Sequence, residues 1–401
     1  MVPPSTTASS RRHTMTPMAS TRGPVEAARR IGEAVAGPVA DAVDREARFP
    51  HEAIAALREE GLLGAFVPRA LGGLGASIGE LAAACEALGR SCASTAMIYA
   101  MHQIEVICLV RHGLSSPFFR DYLAELARHE WLIASATSEI GVGGDLRRSV
   151  CAVERLGPLI RVLKRAPVIS YGEEADDILL TARRTPDAAP ADQVLVLARK
   201  ADLRLTPTGE WNTLGMRGTR SLGFTLEAGG SPEQIVPAPF ADIASQTMLP
   251  ASHVLWTSLW LGLASDAVGR ARAFVRAEAR RTPGTVPPSA MRLAETVAEL
   301  GTMAATVHAG LADFERHQDD PEALAGLGFA IRMNNLKTSA SRMAPEIVAR
   351  ALGVCGISGY RYDSPYAVGR HLRDAHGAAL MISNDRVLSA NAAMLLVHKD
   401  D

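Results

Sequence analysis

Hydrophobic residues follow one spacing near both ends of this chain and a different one in the middle. From about residue 24 to residue 130 they recur every three or four positions, for example at Ile78, Leu81, Cys85 and Leu88. This spacing places apolar side chains on one face of an α-helix. The first third of the chain is therefore predicted to be a set of amphipathic helices.

One predicted helix in this region, residues 95–112, is apolar on nearly every side, which is typical of a helix buried on all faces. A Gly-rich break at residues 67–75 separates two of the other helices. The most apolar run of the chain, residues 254–264, is shorter than the roughly 20 residues that span a bilayer. We therefore predict no membrane-spanning segment and no membrane partner.

After Trp131 the pattern changes to short segments that are rich in β-branched residues and bounded by Gly, Pro or Asp. Such segments predict β-strands. Six of them follow one another closely, which indicates a compact β-barrel or sandwich. They are residues 132–138, 151–163, 167–171, 177–183, 193–198 and 223–228.

Helical spacing returns in four long segments, residues 252–281, 290–317, 321–352 and 387–398. Four amphipathic helices with short connections favour a bundle. We therefore predict an α+β protein with an N-terminal helical domain (25–130), a middle β-barrel or sandwich (131–245) and a C-terminal four-helix bundle (246–401). Residues 1–24, rich in Ser, Thr, Pro and Arg, are predicted to be a disordered leader, with a transit peptide as the alternative.

The charge balance and the cysteines exclude several classes of ligand. Lys and Arg number 42 and Asp and Glu number 43, so the net charge of -1 gives no broad field that attracts nucleic acid. The five cysteines form no CxxC pair, which indicates neither a zinc site nor a disulfide framework. We expect no metal, no nucleic-acid partner and a reducing, cytoplasmic location.

Four short motifs occur along the chain in a recognisable order. The first is LLGAFVP (62–68) with GGLG (72–75), and the second is IASATSEIGVGGD (133–145). The third is WNTLGMRGT (211–219), and the fourth is GVCGISGY (353–360) followed by LRDA (372–375). With these motifs in this order, the chain resembles the acyl-CoA dehydrogenase superfamily from about residue 25 to residue 398.

The resemblance implies a cofactor and an assembly. Members of this superfamily bind FAD between the β-domain and the bundle, and they usually form tetramers. A flavin site offers hydroxyl and N–H groups to the edges of the ring. By the resemblance, Thr137 and Ser138 lie against the pyrimidine edge, while Ile169 and Ser170 lie on the N5 and O4 side. The alternative for both serines is a hydrogen bond to local backbone.

The resemblance also suggests residues for the rest of the cofactor and for the substrate. Arg280 is the candidate for the flavin pyrophosphate of a neighbouring subunit, because a guanidinium pairs with phosphate through two hydrogen bonds. A solvated helix end is its alternative. Gly356 stands where the family has a Gly-Gly pair that lets backbone approach the cofactor. Arg217 and Arg220 are candidates for binding a phosphate-rich acyl thioester.

The catalytic base of the family is missing from its usual place. In most relatives it is a glutamate nine residues after the Arg of the fourth motif, and here that position is Ile382. Asp385 shares a helical face with it and is one candidate, with a first-turn acid after an N-cap at Ser383 as the alternative. His102 is a second ionisable candidate, with a satisfied core histidine as its alternative.

The sequence favours the first of three functions, and the other two stay open as alternatives. The first is α,β-dehydrogenation of an acyl thioester of CoA or acyl carrier protein, with hydride transfer to flavin N5. The second is a two-component flavin monooxygenase of the same fold, which uses oxygen and reduced flavin (FMN or FADH2 from a reductase) and needs no α-proton base. The third is a non-catalytic structural homologue. We expect a homotetramer or dimer that depends on an electron-transfer partner or a flavin reductase.

Overall fold

The N-terminal part of the chain is helical, as predicted. The structure is a computed structural model that describes residues 23–281 and 283–398. The predicted disordered leader lies outside these residues except for its last two positions. Six helices precede the β-domain: α1 (Pro24–Ile31), α2 (Gly37–Glu46), α3 (His51–Glu59), α4 (Ile78–Ser91), α5 (Ala93–Gly113) and α6 (Pro117–His129).

Two of these helices show how the sequence determines their limits and burial. α4 begins with a capping box, in which Ser77 Oγ accepts from the backbone of Glu80 at 3.1 Å and the Glu80 carboxylate accepts from the backbone of Ser77 at 2.8 Å. α5 is long and apolar enough to cross a membrane by length and composition, but 89% of its most apolar window is buried inside the fold. The prediction of a buried helix at residues 95–112 is confirmed.

The middle of the chain forms two sheets rather than a closed barrel. One described sheet has the order β1-β4-β5 and the other has the order β2-β3-β7-β6. β1 pairs with β4 in parallel, and the other pairs are antiparallel. The strands are β1 (Ile133–Ala136), β2 (Glu154–Leu156), β3 (Leu159–Ile169), β4 (Asp177–Arg183), β5 (Gln193–Arg199), β6 (Leu203–Pro207) and β7 (Leu222–Gly230).

Two of the predicted strands had wrong limits, and one strand was not predicted. The segment 151–163 contains a turn, since Gly157 has φ +63° between β2 and β3. The segment 167–171 is not a separate strand, because β3 continues past Pro167 through an irregular register between Ala166 and Ile169. β6 was missed because its side chains are exposed or half-buried, so it carries little hydrophobic signal.

The C-terminal part contains the predicted bundle with one additional break. The segment 321–352 is interrupted at Gly326, whose ψ of 140° ends one helix before the next begins. The last helix begins at Asn384, three residues earlier than predicted. The helices are α7 (Phe240–Ile243), α8 (Leu249–Arg281), α9 (Ser289–His317), α10 (Pro321–Ala325), α11 (Leu327–Cys355), α12 (Ile357–Tyr360), α13 (Gly369–His376) and α14 (Asn384–Leu395).

The predicted domain limits stay predictions, although the elements around them are now defined. α6 ends at His129 and β1 begins at Ile133, on either side of the limit at residue 130. The limit at residue 245 falls inside a π-helical turn, Ala244–Met248, which joins α7 to α8. The first long helix of the bundle therefore continues from the last segment assigned to the β-domain.

A buried ion pair fixes the chain just after β1. Lys164 Nζ lies 3.3 Å from Glu139 Oε2 and donates to the carbonyl of Thr181 at 2.8 Å. Glu139 also accepts from Ser149 Oγ at 2.7 Å and from the backbone of Cys151 at 2.6 Å. Burial raises the pKa of Glu139, but Lys164 and these donors outweigh burial and hold the pKa below its ordinary value. The carboxylate is thus charged and fully paired.

Replacing Lys164 by Met is expected to lower the free energy of unfolding by about 3–5 kcal/mol, because Glu139 would remain buried without its cation. Chemical denaturation monitored by circular dichroism measures the change. The double variant Lys164→Met with Glu139→Gln removes both charges and should recover part of the loss. A single variant as stable as the wild type would contradict the pairing.

Candidate functional site

Ser170, Ser221 and Thr219 form a continuous row of hydroxyl groups between the end of β3 and the start of β7. Ser170 Oγ lies 2.7 Å from Ser221 Oγ, which lies 2.9 Å from Thr219 Oγ1. Thr219 Oγ1 donates to the carbonyl of Met216 at 2.9 Å. Thr219 and Ser221 are buried and Ser170 is half-buried. The row therefore begins in the interior and ends near the surface at Ser170.

Ser138, just beyond β1, reaches the same region. Its hydroxyl donates to the carbonyl of Val168 at 2.8 Å, and the side chain of Val168 is 40% exposed. Thr137 is half-buried, whereas the side chain of Ile169 is buried and leaves only backbone for a ligand. The structure thus brings Ser138 together with the segment that carries Ser170, and their role in binding a cofactor stays a prediction.

A glycine-rich loop follows these residues. Gly141, Gly143 and Gly144 have φ values of +101°, +60° and +77°, a region that suits glycine. Arg386 of α14 lies against the loop, where it donates from Nη1 to the Gly144 carbonyl at 2.7 Å and from Nη2 to the Gly143 carbonyl. A Cβ on Gly144 would lie 2.1 Å from Arg386 Nη1, so the guanidinium occupies space that only glycine leaves open.

The third and fourth sequence motifs touch each other beside the hydroxyl row. The backbone N–H of Met216 donates to Asp374 Oδ1 at 2.6 Å. Asp374 is buried, and this burial raises the pKa of its carboxyl to about 6. A Cβ on Gly215 would lie 2.3 Å from the carbonyl oxygen of Arg373, which explains the glycine. Arg373 itself pairs with Asp44 of α2.

The two arginines predicted to bind substrate are engaged within the protein. Arg217 donates from Nε to the carbonyl of Asp44 at 2.8 Å. Arg220 pairs with Glu173 at 2.6 Å and with Glu174 at 3.2 Å. Both guanidinium groups therefore hold neighbouring segments together, and a role in binding an acyl thioester stays a prediction.

Arg280 and Gly356 lie at helix ends. Arg280 is exposed in the last turn of α8 and forms no hydrogen bond or ion pair with another described residue. Gly356 ends α11 with φ +56° and has open space around the position of a Cβ. In residues 23–281 and 283–398, no hydrogen bond links either residue to the hydroxyl row, so the structure leaves their cofactor roles as predictions.

Comparison with known families covers both helical parts of the chain. Residues 21–130 match the N-terminal domain of acyl-CoA dehydrogenase, and residues 243–382 match its C-terminal domain. The chain belongs to the acyl-CoA dehydrogenase family. The resemblance inferred from the four motifs is thereby confirmed.

Relatives within the acyl-CoA dehydrogenase family carry names for different reactions. The chain is 26% identical to the amino sugar nitrososynthase DnmZ of Streptomyces peucetius over 84% of each chain. It is 27% identical to the cyclohex-1-ene-1-carbonyl-CoA dehydrogenase of Geobacter metallireducens over 84% of this chain and 87% of the relative. The structure of TdsC from a Paenibacillus species with FMN and indole matches with a TM-score of 0.81 and 20% identity, covering 94% and 98% of the two chains. The predicted fold is confirmed.

The segment where most acyl-CoA dehydrogenases place their base has an unusual composition here. Ile382 is partly buried and packs against the core, while Asp385 is exposed in the first turn of α14. Ser383 precedes this helix but makes no side-chain capping bond. Asp385 therefore lies on the outer side of the helix in this structure.

A buried lysine lies directly behind this segment. Lys337 of α11 donates to Asn384 Oδ1 at 2.7 Å and to the carbonyl of Ile382. Burial lowers the pKa of Lys337 to about 8. The sequence analysis missed Lys337, although it interrupts the buried stripe of α11 between Met333 and Ala340. The charged group that lies against residues 382–384 is thus an ammonium group rather than a carboxylate.

Two of the buried histidines, His102 and His253, have pKa values far below neutral pH, so both are uncharged at pH 7. His102 bonds the carbonyl of Leu63 through Nε2 at 2.8 Å and accepts from the backbone of Ile133 through Nδ1 at 3.0 Å. Burial lowers the pKa of His102 to about 4. Burial and the nearby Lys337 lower the pKa of His253, on α8, to about 3. In this structure His102 is a core histidine satisfied on both nitrogens.

One buried carboxyl was also missed by the sequence analysis. Glu105 of α5 is 2% exposed, and its Oε2 has no hydrogen-bond partner among the described residues. Burial raises the pKa of Glu105 to about 8, although a hydrogen bond with Ser135 of β1 opposes the change. Glu105 is therefore protonated at neutral pH, which is the wrong state for a general base.

The raised pKa of Glu105 predicts that stability falls as pH rises from acid toward pH 8. The folded state holds the proton up to pH about 8 and the unfolded state releases it near 4.5, so stability falls as pH rises between these values. From pH 6 to pH 8 the loss is about 2 kcal/mol for this group. Denaturation at both pH values should show a smaller loss in Glu105→Gln. An equal loss in both proteins would contradict a buried, protonated Glu105.

Proposed function

We propose that the protein is a two-component flavin monooxygenase of the acyl-CoA dehydrogenase family, which oxygenates a small molecule with reduced flavin from a separate reductase. The observation that carries this proposal is the absence of an inward-facing carboxylate between residues 382 and 385. Removal of an α-proton requires a basic group within hydrogen-bonding reach of it. Ile382 has no such group, and Asp385 is exposed on α14.

The described residues fit a flavin cofactor. Thr137, Ser138 and Ser170 would hold the ring, because hydroxyl groups match its hydrogen-bonding edges. The Gly143–Gly144 loop would hold a phosphate through its backbone N–H groups, since successive N–H groups bind anions, while Arg386 keeps its bonds to the loop carbonyls. By the resemblance, relatives carry a tryptophan that shields the flavin at the position of Val168, and the smaller valine would leave room beside the ring. FMN and FAD both fit this assignment, and the bound flavin supplies the electrons that activate oxygen.

The chain itself supplies an apolar wall where dehydrogenases place a base. Lys337 holds the segment 382–384, so Ile382 keeps its place against the core. By the resemblance, a smaller branch of the family places its glutamate on the first helix of the bundle, near Leu255 or Trp256 here, and both of these side chains are buried. The side chains at both positions are apolar, so neither can act as a base.

Dehydrogenation of an acyl thioester is the second candidate. Membership of the acyl-CoA dehydrogenase family and the close match of the first three motifs favour it. It requires Asp385 of α14 to turn inward from its exposed position and to act there as the base. It also requires Arg217 and Arg220 to exchange their present partners for the thioester. The structure therefore supports this candidate less well.

The remaining partners follow from the same proposal. We expect a small-molecule substrate, a flavin reductase as the electron donor and a homotetramer or dimer in the cytoplasm. Exposed apolar side chains at Ile357, Tyr360 and Tyr362 support assembly, since monomers rarely expose such groups together. An electron-transfer partner would replace the reductase if the second candidate function were correct.

The reaction of the bound, reduced flavin with oxygen tests the proposed function. The protein is loaded with FMN, photoreduced without oxygen and mixed with air-saturated buffer in a stopped-flow instrument. A monooxygenase should reoxidise in a reaction whose rate rises with the oxygen concentration. A reduced protein that persists in air but is oxidised at once by a one-electron acceptor dye would contradict the proposal. Free reduced FMN is the control.

A further inference from the structure

A cysteine and a lysine meet in the buried network around Glu139. Lys164 Nζ lies 3.9 Å from Cys151 Sγ, which lies 3.4 Å from both the carbonyl of Thr181 and Ser149 Oγ. Lys164 is 0% exposed, so its amine is held at this position by the surrounding protein. In residues 23–281 and 283–398, no hydrogen bond joins another lysine to a cysteine. The pair is therefore a local feature of this sheet.

A proton path connects the thiol of Cys151 to Glu139. Ser149 Oγ lies 3.4 Å from Cys151 Sγ and donates to Glu139 Oε2 at 2.7 Å. The thiol proton can pass to Ser149 while Ser149 passes its own proton to the carboxylate. Burial raises the pKa of the Cys151 thiol, and the adjacent Lys164 opposes this change. A thiolate formed by this path lies beside an ammonium group, which is the electrostatic setting of reactive cysteines.

Cys151 also lies closer to the surface than the other cysteines. It is 9% exposed, and its neighbour Val150 is 56% exposed. The remaining four cysteines are each 0% or 2% exposed, namely Cys85, Cys92, Cys108 and Cys355. A small, uncharged oxidant such as hydrogen peroxide therefore reaches Cys151 more readily than the other thiols.

We propose that Cys151 and Lys164 form an oxidative cross-link in which one oxygen atom bridges Sγ and Nζ. The 3.9 Å gap between these atoms is far longer than a direct S–N bond, so a bridge through one atom needs less movement of the two side chains. The cross-link is a modification that lies behind Glu139, two residues before the glycine-rich loop that begins at Gly141. It goes beyond the proposed function and does not depend on it.

The cross-link consumes two molecules of hydrogen peroxide. The first oxidises the thiol to a sulfenic acid, and the second takes up the two electrons released when the N–O bond forms. In total, the thiol, the ammonium group and two peroxides give Cys–S–O–NH–Lys, three water molecules and one proton. The proton goes to Glu139, because the bridge removes the charge of Lys164 and a buried carboxylate without its cation is costly.

Peptide mass spectrometry of the full chain tests the cross-link. The protein is purified in dithiothreitol, freed of it, exposed to hydrogen peroxide and digested with trypsin. Cleavage after the flanking arginines should release residues 149–155 joined to residues 162–165. The joined mass should equal that of the two peptides plus one oxygen and minus two hydrogens, and cleavage after Lys164 should be lost. Treatment with dithiothreitol should restore the separate peptides, since the bridge is reducible.

Two variants serve as matched controls. Lys164→Arg keeps a cation beside Glu139 but lacks the amine that forms the bridge, and Cys151→Ser removes the sulfur while Lys164 keeps its ion pair. Neither variant should give the joined peptide. Cys151→Ser carries the control alone if arginine does not fit the buried position.

Three results would overturn the inference. They are oxidation of Cys151 alone with normal cleavage after Lys164, a joined peptide without the additional oxygen, and two peptides that both stay unmodified in peroxide. None of them bears on the proposed function, which the reaction of reduced flavin with oxygen tests separately.

Discussion

The hydrogen bond from the backbone of Met216 to the buried carboxyl of Asp374 is the contact on which the rest of the site depends. It joins the turn before β7 to α13, and the neighbouring Arg373 pairs with Asp44 of α2. The N-terminal helices, the β-domain and the bundle thus meet at one point. The carbonyl of Met216 also receives the proton of Thr219. The residue whose N–H is held by the bundle therefore also contacts, through its carbonyl, the inner end of the hydroxyl row.

This contact also shows how much of the molecule could be predicted from sequence. WNTLGMRGT and LRDA are two of the four motifs that predicted the family, and in the structure they meet, since Gly215 lies against Arg373. The order of the domains was predicted from the hydrophobic spacing. The long helices were predictable because their apolar stripes are strong. β6 was not, because its exposed side chains resemble those of a loop.

The sequence alone could not predict the burial and the contacts of side chains that pack against residues far away in the chain. Lys337 and Glu105 each look like an ordinary charged residue of a helix, and only the packing of α11 and α5 shows that both are buried. Arg386 is next to Asp385 in sequence, yet it contacts a loop about 240 positions earlier in the chain. The contact of Thr219 with the Met216 carbonyl likewise depends on backbone geometry that no pattern of residue types reveals.

The structure shows which groups surround Ile382, the position where most relatives carry the catalytic glutamate. The family scaffold is intact around Ile382, but its surroundings are a buried ammonium group and apolar side chains rather than an alternative base. Burial keeps the carboxyl of Glu105 protonated at neutral pH, and Asp385 is exposed. Residues 382–385 therefore hold no inward-facing carboxylate, and the proposed function rests on this observation.

The most direct test is to mix the FMN- or FAD-loaded protein anaerobically with saturated acyl-CoA thioesters of several chain lengths and to record the flavin absorbance. A monooxygenase should show no bleaching with any thioester, while NADH and a flavin reductase reduce the same sample. Rapid bleaching by an acyl-CoA, lost in Asp385→Asn by about 100-fold or more as expected for a general base, would contradict the proposed function and establish the dehydrogenase.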